Sequence, residues 1–169
     1  AIAIWPNAMR VLQRLKLAED LLDKAGQMKA VEWLDQNGRL INRVSLIDII
    51  VNSAAVALHR ADLQEILVQA LPAKSIQLGN SFIDYSQTAD QIVVHFANGN
   101  SIEADVLVGA DGIHSKVRTK FLNDAPPNYR GYMVWRGIAQ NAPASLPKET
   151  AIELHGKGKR FGIGPVGMG

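Results

Sequence analysis

Apolar residues recur at roughly helical spacing in two parts of the chain. Pro6 suits the first position of a helix, and apolar residues from Met9 to Leu22 continue one side of it until Gly26 stops the pattern. Residues 60–71 carry a second apolar face, followed by Pro72 as a stop signal; that face is formed by Leu63, Ile66, Leu67 and Ala70. The pattern predicts a helical stretch after Pro6 and a helix over 60–71.

Alternating apolar and polar positions predict strands elsewhere. Asn37-Gly38 separates the runs 29–35 and 39–44, and Asn-Gly between such runs is a strong hairpin signal. An antiparallel meander is predicted after the second helix, with strands at 75–78, 81–88, 91–97 and 101–103. Further strands are predicted at 129–139, 150–155 and 160–166.

Residues 105–110 have a different pattern, because the apolar run in Asp-Val-Leu-Val-Gly-Ala is continuous. Such a run indicates a strand buried on both faces, as in a parallel sheet. A helix is expected to follow over 115–122. The predicted fold class is α/β in a mixed α+β arrangement, with a partial parallel sheet covered by helices and a separate antiparallel sheet.

Composition and charge exclude several classes of protein. The 18 basic and 16 acidic residues are spread along all 169 positions, without the basic stripe that nucleic-acid binding needs. The longest apolar stretch, 46–58, is too short to span a bilayer. The chain has no cysteine and its four histidines lie far apart, so no metal site is predicted. We expect a cytoplasmic protein, and both chain ends have the character of internal sequence.

The segment 109–118 carries the most informative chemistry. A buried strand is predicted to run into a Gly-Ala-Asp-Gly turn and then into a helix capped by Ser115, so that backbone N–H groups face outward. That arrangement suits a diphosphate, and Lys116 and Arg118 add positive charge beside it. An ordinary strand-turn-helix junction with solvated basic residues explains the same pattern from the residues alone.

The segment Gly109-Ala110-Asp111-Gly112-Ile113-His114-Ser115-Lys116-Val117-Arg118 closely resembles the Asp-Gly motif of the class A flavoprotein monooxygenases, the para-hydroxybenzoate and salicylate hydroxylase type. The resemblance implies that Asp111 and Gly112 lie near the FAD pyrophosphate, with Ser115 and Arg118 completing the motif. His59 to Leu67 is similar to the family's arginine-led helix, so Arg60 is implied to contact FAD. Pro6 to Leu17 is similar to its proline-led helix.

Two family motifs are absent from the sequence. The Gly-x-Gly-x-x-Gly fingerprint would be expected before residue 1, and the Gly-Asp motif after residue 169. A literal Gly-x-Gly-x-x-Gly occurs at 162–167, but it lacks a following helix and acidic residue, so we assign it to a strand. We therefore expect this chain to be an internal part of a longer enzyme and to be inactive alone.

The resemblance implies an FAD-dependent monooxygenase that uses NAD(P)H and hydroxylates a small aromatic or apolar substrate. Residues 1–125 would form part of the FAD-binding domain, with an inserted hairpin near 29–44, and 126–169 part of a substrate-binding sheet. No catalytic residue is assigned, because the chemistry belongs to the cofactor. Tyr132 and Trp135 would either pack in the core or face the flavin or substrate.

Three alternatives remain open at this stage. The chain could be a noncatalytic structural or interaction domain with the flavoprotein fold, or part of a related flavin epoxidase, halogenase or reductase. An NAD-only dehydrogenase would need a working fingerprint turn, which the sequence does not contain. With the 106–108 strand unpartnered, we also expect the isolated chain to self-associate.

Overall fold

The computed structural model of the chain describes residues 1–47, 54–123, 125–141 and 143–167. These residues form four α-helices and ten β-strands arranged in three sheets. The predicted mixed α/β class is therefore confirmed. The chain divides into two compact units, one of residues 1–72 and 135–169 and the other of residues 73–134.

The first unit contains a three-stranded sheet around a short central strand. Strand β5 (Val56–Leu58) pairs antiparallel with β1 (Ile2–Ile4) on one side and with β2 (Gly26–Gln27) on the other. All three residues of β5 are buried. Because successive side chains of a strand point to opposite faces, β5 has to be covered on both.

One face of β5 is covered by three helices, α1 (Pro6–Arg14), α2 (Ala18–Lys24) and α3 (Arg60–Gln69). Pro6 begins α1 as predicted. The helical stretch does not continue unbroken to Leu22, however, because Lys16 has a φ of 60°, a left-handed value that ends the helix.

The other cover is a four-stranded sheet with the order β10-β9-β3-β4. Strands β3 (Ala30–Asp35) and β4 (Leu40–Ser45) form the predicted hairpin, whose turn needs Gly38 at a φ of 81°. Strands β9 (Thr150–Gly156) and β10 (Lys159–Ile163) form a second hairpin. β3 and β9 pair in parallel, so segments far apart in sequence share one sheet.

Two apolar clusters lie against β5. The first cluster packs the helices against one face of the strand; its buried members are Ile4, Met9, Leu12, Ala18, Leu21, Ala25, Val56, Leu58 and Ile66. The second cluster includes Ala57 of β5 with Met28, Leu46 and Ala55, and Val31, Val44 and Ala151 of the four-stranded sheet pack against it. β5 is therefore enclosed between the helices and the four-stranded sheet.

The second unit is built on the predicted antiparallel meander. Its strands are β6 (Phe82–Gln87), β7 (Ile92–Phe96) and β8 (Ser101–Ala104), in that order. Helix α4 (Lys116–Leu122) follows, and Lys120 Nζ lies 2.9 Å from Asp84 Oδ1 of β6. The hydrogen bond from Lys120 lowers the pKa of Asp84.

Three predicted strands are wrong. Residues 73–75 form a 3-10 turn and 76–78 form no strand. Residues 105–110 have no ladder partner among the described residues, and the exposed fractions of Val106 and Val108 are 71% and 77%. Residues 129–139 are also unpaired. A strand needs a neighbour for its N–H and C=O groups, which an apolar sequence does not supply by itself.

The functional division into 1–125 and 126–169 stays a prediction, although the hairpin near 29–44 shares its sheet with β9 and β10. The centre of the apolar stretch 46–58, residues 48–53, lies outside the described residues. Among the helices that the structure describes, none is long and apolar enough to cross a membrane.

Neighbouring leucines of α2 test this packing. Leu21 is fully buried in the first cluster, whereas Leu22 is exposed. We expect Leu21→Ala to lower the free energy of unfolding by about 2–5 kcal/mol through the cavity it leaves. Leu22→Ala should cost about 1 kcal/mol or less. Urea denaturation of both variants measures the difference, and equal losses would contradict the assigned core.

Candidate functional site

The first candidate site is the junction between β5 and α3. The buried strand ends at Leu58, His59 is the extended N-cap residue, and Arg60 begins the helix. Ile66 buries α3 in the first cluster, and Lys24 Nζ of α2 lies 2.8 Å from Glu65 Oε2. The position of α3 is therefore fixed by the strand that precedes it, by the apolar cluster around Ile66 and by this ion pair.

Arg60 is exposed at this junction. It has no hydrogen-bond or ion-pair partner among the described residues, and no side chain caps the start of α3. A cation at a helix N-terminus opposes the helix dipole, and Asp62 in the first turn of α3 offsets part of that charge. The open guanidinium and the uncapped helix end are suited to binding an anionic group.

The second candidate site is the turn that leads into α4 of the other unit. The Asp111 carboxylate accepts a very short hydrogen bond from the Ser115 hydroxyl and a bond of 2.7 Å from the Lys116 amide. A weaker contact of 3.4 Å comes from the Val117 amide. Asp111 therefore binds the backbone amides at the N-terminus of α4, which the sequence had predicted to face outward.

Ser115 is the N-cap residue of α4, as predicted. Its Oγ accepts a hydrogen bond of 2.9 Å from the Arg118 amide, and its carbonyl accepts one from the Thr119 hydroxyl. The Arg118 guanidinium donates to the Ile113 carbonyl at 2.8 Å. Asp111, Ser115 and Arg118 thus form one closed network within the turn.

Two glycines shape this turn for different reasons. Gly112 has a φ of 86°, and no described atom lies within 4 Å of the position that a Cβ would take there. Gly109 is needed for close packing, because a Cβ at that position would lie 2.8 Å from Val117 Cγ1. Gly109 belongs to the site through this contact, although only Gly112 had been assigned to it from the sequence.

The five predicted cofactor residues fall into two groups. Arg60 lies in the first unit, and Asp111, Gly112, Ser115 and Arg118 come together in the second. An apolar groove of about 430 Å³ runs alongside α4, lined partly by Tyr85, Leu107, Val117 and Phe121. Leu107 lines that groove and is only half-buried, so the expectation that it sits in a buried strand is wrong.

The sequence analysis also singled out Tyr132, Trp135 and the run 162–167. Tyr132 and Trp135 are exposed, with 89% of Trp135 accessible, so neither packs in a core formed by the described residues. Only residues 162–163 of the run 162–167 belong to a strand, the end of β10, and the rest is coil that passes close to Gly26 of β2, so the assignment of the run to a strand is confirmed only in part. The described residues hold no group of three or more metal-ligating side chains.

The N-cap of α4 can be tested directly. Ser115 has only 4% of its surface exposed, and its hydroxyl links Asp111 to the Arg118 amide. We expect Ser115→Ala to lower the free energy of unfolding by about 0.5–2 kcal/mol. Ser145→Ala, at an exposed serine, is the matched control and should have almost no effect. Similar losses in the two variants would contradict the cap.

The Asp111 network also predicts a pH dependence. The hydrogen bond from Ser115, supported by the backbone amides of Val117 and Lys116, lowers the pKa of Asp111. The stability that the ionised Asp111 contributes to folding is present above the unfolded pKa of about 3.9 and is lost as pH falls through the lower folded pKa. We expect Asp111→Asn to be less stable than wild type at pH 7, with a gap that narrows below pH 4. A constant gap down to pH 3 in denaturant titrations would contradict this network.

No protein-family model matches the chain. It is 36% identical over 151 residues to the 3-amino-4-hydroxybenzoate 2-monooxygenase of Streptomyces cremeus, a match that takes in 86% of this chain and 37% of the relative. An FAD-dependent urate hydroxylase of Klebsiella pneumoniae is 29% identical, over 100% of this chain and 45% of its own length. The chain spans less than half the length of these relatives.

The fold has a close counterpart among solved structures. The crystal structure of Klebsiella pneumoniae HpxO complexed with FAD and uric acid superposes with a TM-score of 0.86 and 28% identity. The match covers 97% of this chain and 43% of that chain, so nearly every described element has an equivalent there. The resemblance found in the sequence is confirmed: the chain is a homologue of the FAD-dependent aromatic monooxygenases and has part of their class A flavoprotein fold.

Proposed function

We propose that the full-length protein carrying this chain is an FAD-dependent monooxygenase that hydroxylates a small aromatic substrate, with NAD(P)H as the reductant. The observation that carries the proposal is the superposition of 97% of the chain, at a TM-score of 0.86, on a protein complexed with FAD and uric acid. The Streptomyces cremeus relative, a monooxygenase by name, supports the same reaction class.

Both junctions have features that fit FAD. Arg60 offers an unpaired guanidinium among the described residues, which suits a diphosphate oxygen. Gly112 leaves open space beside its backbone, so a bulky group can approach the turn closely. Asp111, Ser115 and Arg118 are joined to one another. We therefore assign them to holding the turn in shape beside the cofactor.

Bound FAD would supply the oxygen-activating redox chemistry. In this proposal Arg60 binds and orients the cofactor through charge, and the turn at Gly112 keeps its backbone available for close approach. No residue of the chain acts as a nucleophile. The Asp111 carboxylate, with its lowered pKa, stays ionised at neutral pH and keeps the cap closed.

We also propose that the protein is cytoplasmic. Self-association of the isolated chain is also included, because Val106, Val108 and Phe121 expose apolar surface near the groove along α4. Sedimentation of the isolated chain tests this part, and a stable monomer across a range of concentrations would contradict it.

The FAD assignment is tested on the full-length protein. We expect a yellow protein with bound FAD, and Arg60→Ala should weaken FAD binding about tenfold to a hundredfold, since one charge-assisted contact is lost. Its unfolding free energy without FAD should stay unchanged. Arg39→Ala, at an exposed arginine beside the hairpin turn, is the matched control. A full-length protein that binds no FAD in fluorescence titrations would contradict the proposed function.

A further inference from the structure

Two hairpins of the chain have an Asn-Gly turn with the same main-chain arrangement. The turn between β3 and β4 contains Asn37-Gly38, and the turn between β7 and β8 contains Asn98-Gly99. The two glycines have left-handed φ angles of 81° and 84°. In each turn the glycine N–H donates over 3.0 Å to the carbonyl three residues earlier. Both asparagines are exposed, so any difference between them has to come from their side-chain contacts.

The side chain of Asn98 is held at both ends. Its Oδ1 accepts a hydrogen bond of 3.0 Å from the Asn100 amide. Its Nδ2 donates to Asn80 Oδ1 at 2.8 Å and, more weakly, to the Gly79 carbonyl at 3.4 Å. The Asn98 carboxamide therefore has to break these bonds before it can rotate.

The side chain of Asn37 has no hydrogen-bond partner among the described residues. The equivalent donor in its turn is the Arg39 amide, which has the position of the Asn100 amide in the other hairpin. That amide donates instead to Asp35 Oδ1 at 2.9 Å, and the same oxygen accepts from the Asn37 amide at 2.8 Å. The Asp35 carboxylate thus takes the place of the Asn37 carboxamide in the turn and leaves it free to rotate.

We propose that Asn37 is a site of spontaneous deamidation and that Asn98 is protected from it. The Gly38 nitrogen bonds to Asn37 Cγ while the Cγ–Nδ2 bond breaks, and Nδ2 leaves as ammonia with the proton that the Gly38 nitrogen loses. Water then opens the resulting succinimide ring to give aspartate or isoaspartate at position 37. Glycine permits this attack because it has no side chain to obstruct the approach of its backbone. The inference does not depend on the proposed function.

The products of this reaction change both the charge and the length of the turn. A carboxylate at position 37 lies two residues from the Asp35 carboxylate, and the two like charges repel. Isoaspartate also inserts a methylene group into the main chain, next to the Gly38 and Arg39 amides whose hydrogen bonds close the turn. Deamidation therefore loosens the β3–β4 hairpin, in which β3 is the strand that pairs with β9.

The experiment follows both asparagines in one sample of the full-length protein. The protein is incubated at mildly alkaline pH, digested at mildly acidic pH and analysed by peptide mass spectrometry, which separates asparagine from aspartate and isoaspartate. We expect Asn37 to convert about tenfold to a hundredfold faster than Asn98, because hydrogen bonds have to break only at Asn98. In protein unfolded by urea the two sites should convert at similar rates, since both are Asn-Gly pairs.

A variant tests the cause of the protection. Asn80→Ala removes the partner of Asn98 Nδ2 and should accelerate conversion of Asn98 about twofold to tenfold, with the rate at Asn37 unchanged. Asn128→Ala, at an exposed asparagine of the same unit, is the matched control and should leave both rates unchanged.

Three results in the folded protein would overturn the proposal: equal rates at the two sites, faster conversion of Asn98, or no conversion of Asn37 over the time in which the unfolded protein converts completely. A rate at Asn98 that is no higher in Asn80→Ala than in Asn128→Ala would overturn the protection assigned to its hydrogen bonds. An excess of conversion at Asn37 that disappears on unfolding supports the proposal.

Discussion

The burial of β5 on both faces is the constraint on which the first unit depends. The strand has only three residues, yet Val56 and Leu58 face the helices while Ala57 faces the four-stranded sheet. A large side chain at the middle position would separate the sheets, whereas large ones at its neighbours fill the helical core. The same strand leads directly into α3. The position of Arg60 is therefore determined by packing several residues before it.

The N-termini of α3 and α4 differ in how their charge is offset. A helix N-terminus carries partial positive charge and unpaired N–H groups. At α4 the chain supplies its own anion, because Asp111 accepts from the first turn and Ser115 completes the cap. At α3 the chain adds a further positive charge, Arg60, and no cap. The α3 N-terminus has an open guanidinium and no side-chain cap, although Asp62 lies in its first turn, and we therefore assign the anionic part of a cofactor there.

Local sequence signals predicted the elements that depend on local physics. Pro6, the Asn37-Gly38 turn and the Ser115 cap each fix a backbone conformation within a few residues, and all three were found where expected. The wrongly predicted strands share another cause, which is not local. Residues 105–110 and 129–139 have strand-like composition, but a strand forms only against a partner, and composition does not reveal whether one is present.

In the candidate sites too, features carried by neighbouring residues were recognised, and features that depend on contacts made by the folded chain were not. Arg60 and the Asp111 turn were recognised from contiguous motifs, whereas the role of Asp111 as a cap depends on how the turn folds back on itself. The ion pair of Glu153 with Arg160 could not be found from sequence spacing alone. Glu153 and His155 alternate as in any strand, and Arg160 joins them only through the β9–β10 register. Gly109 was overlooked because its requirement comes from Val117, eight positions later.

The closed network of Asp111, Ser115 and Arg118 has a consequence for the thermodynamics of ligand association. A loop that becomes ordered only on binding reduces the observed affinity by the entropy that its residues lose. This turn is already held by hydrogen bonds within a single stretch of chain. A ligand arriving beside Gly112 would meet a preorganised surface, so its association there should have a small conformational entropy cost and little change in backbone hydrogen exchange.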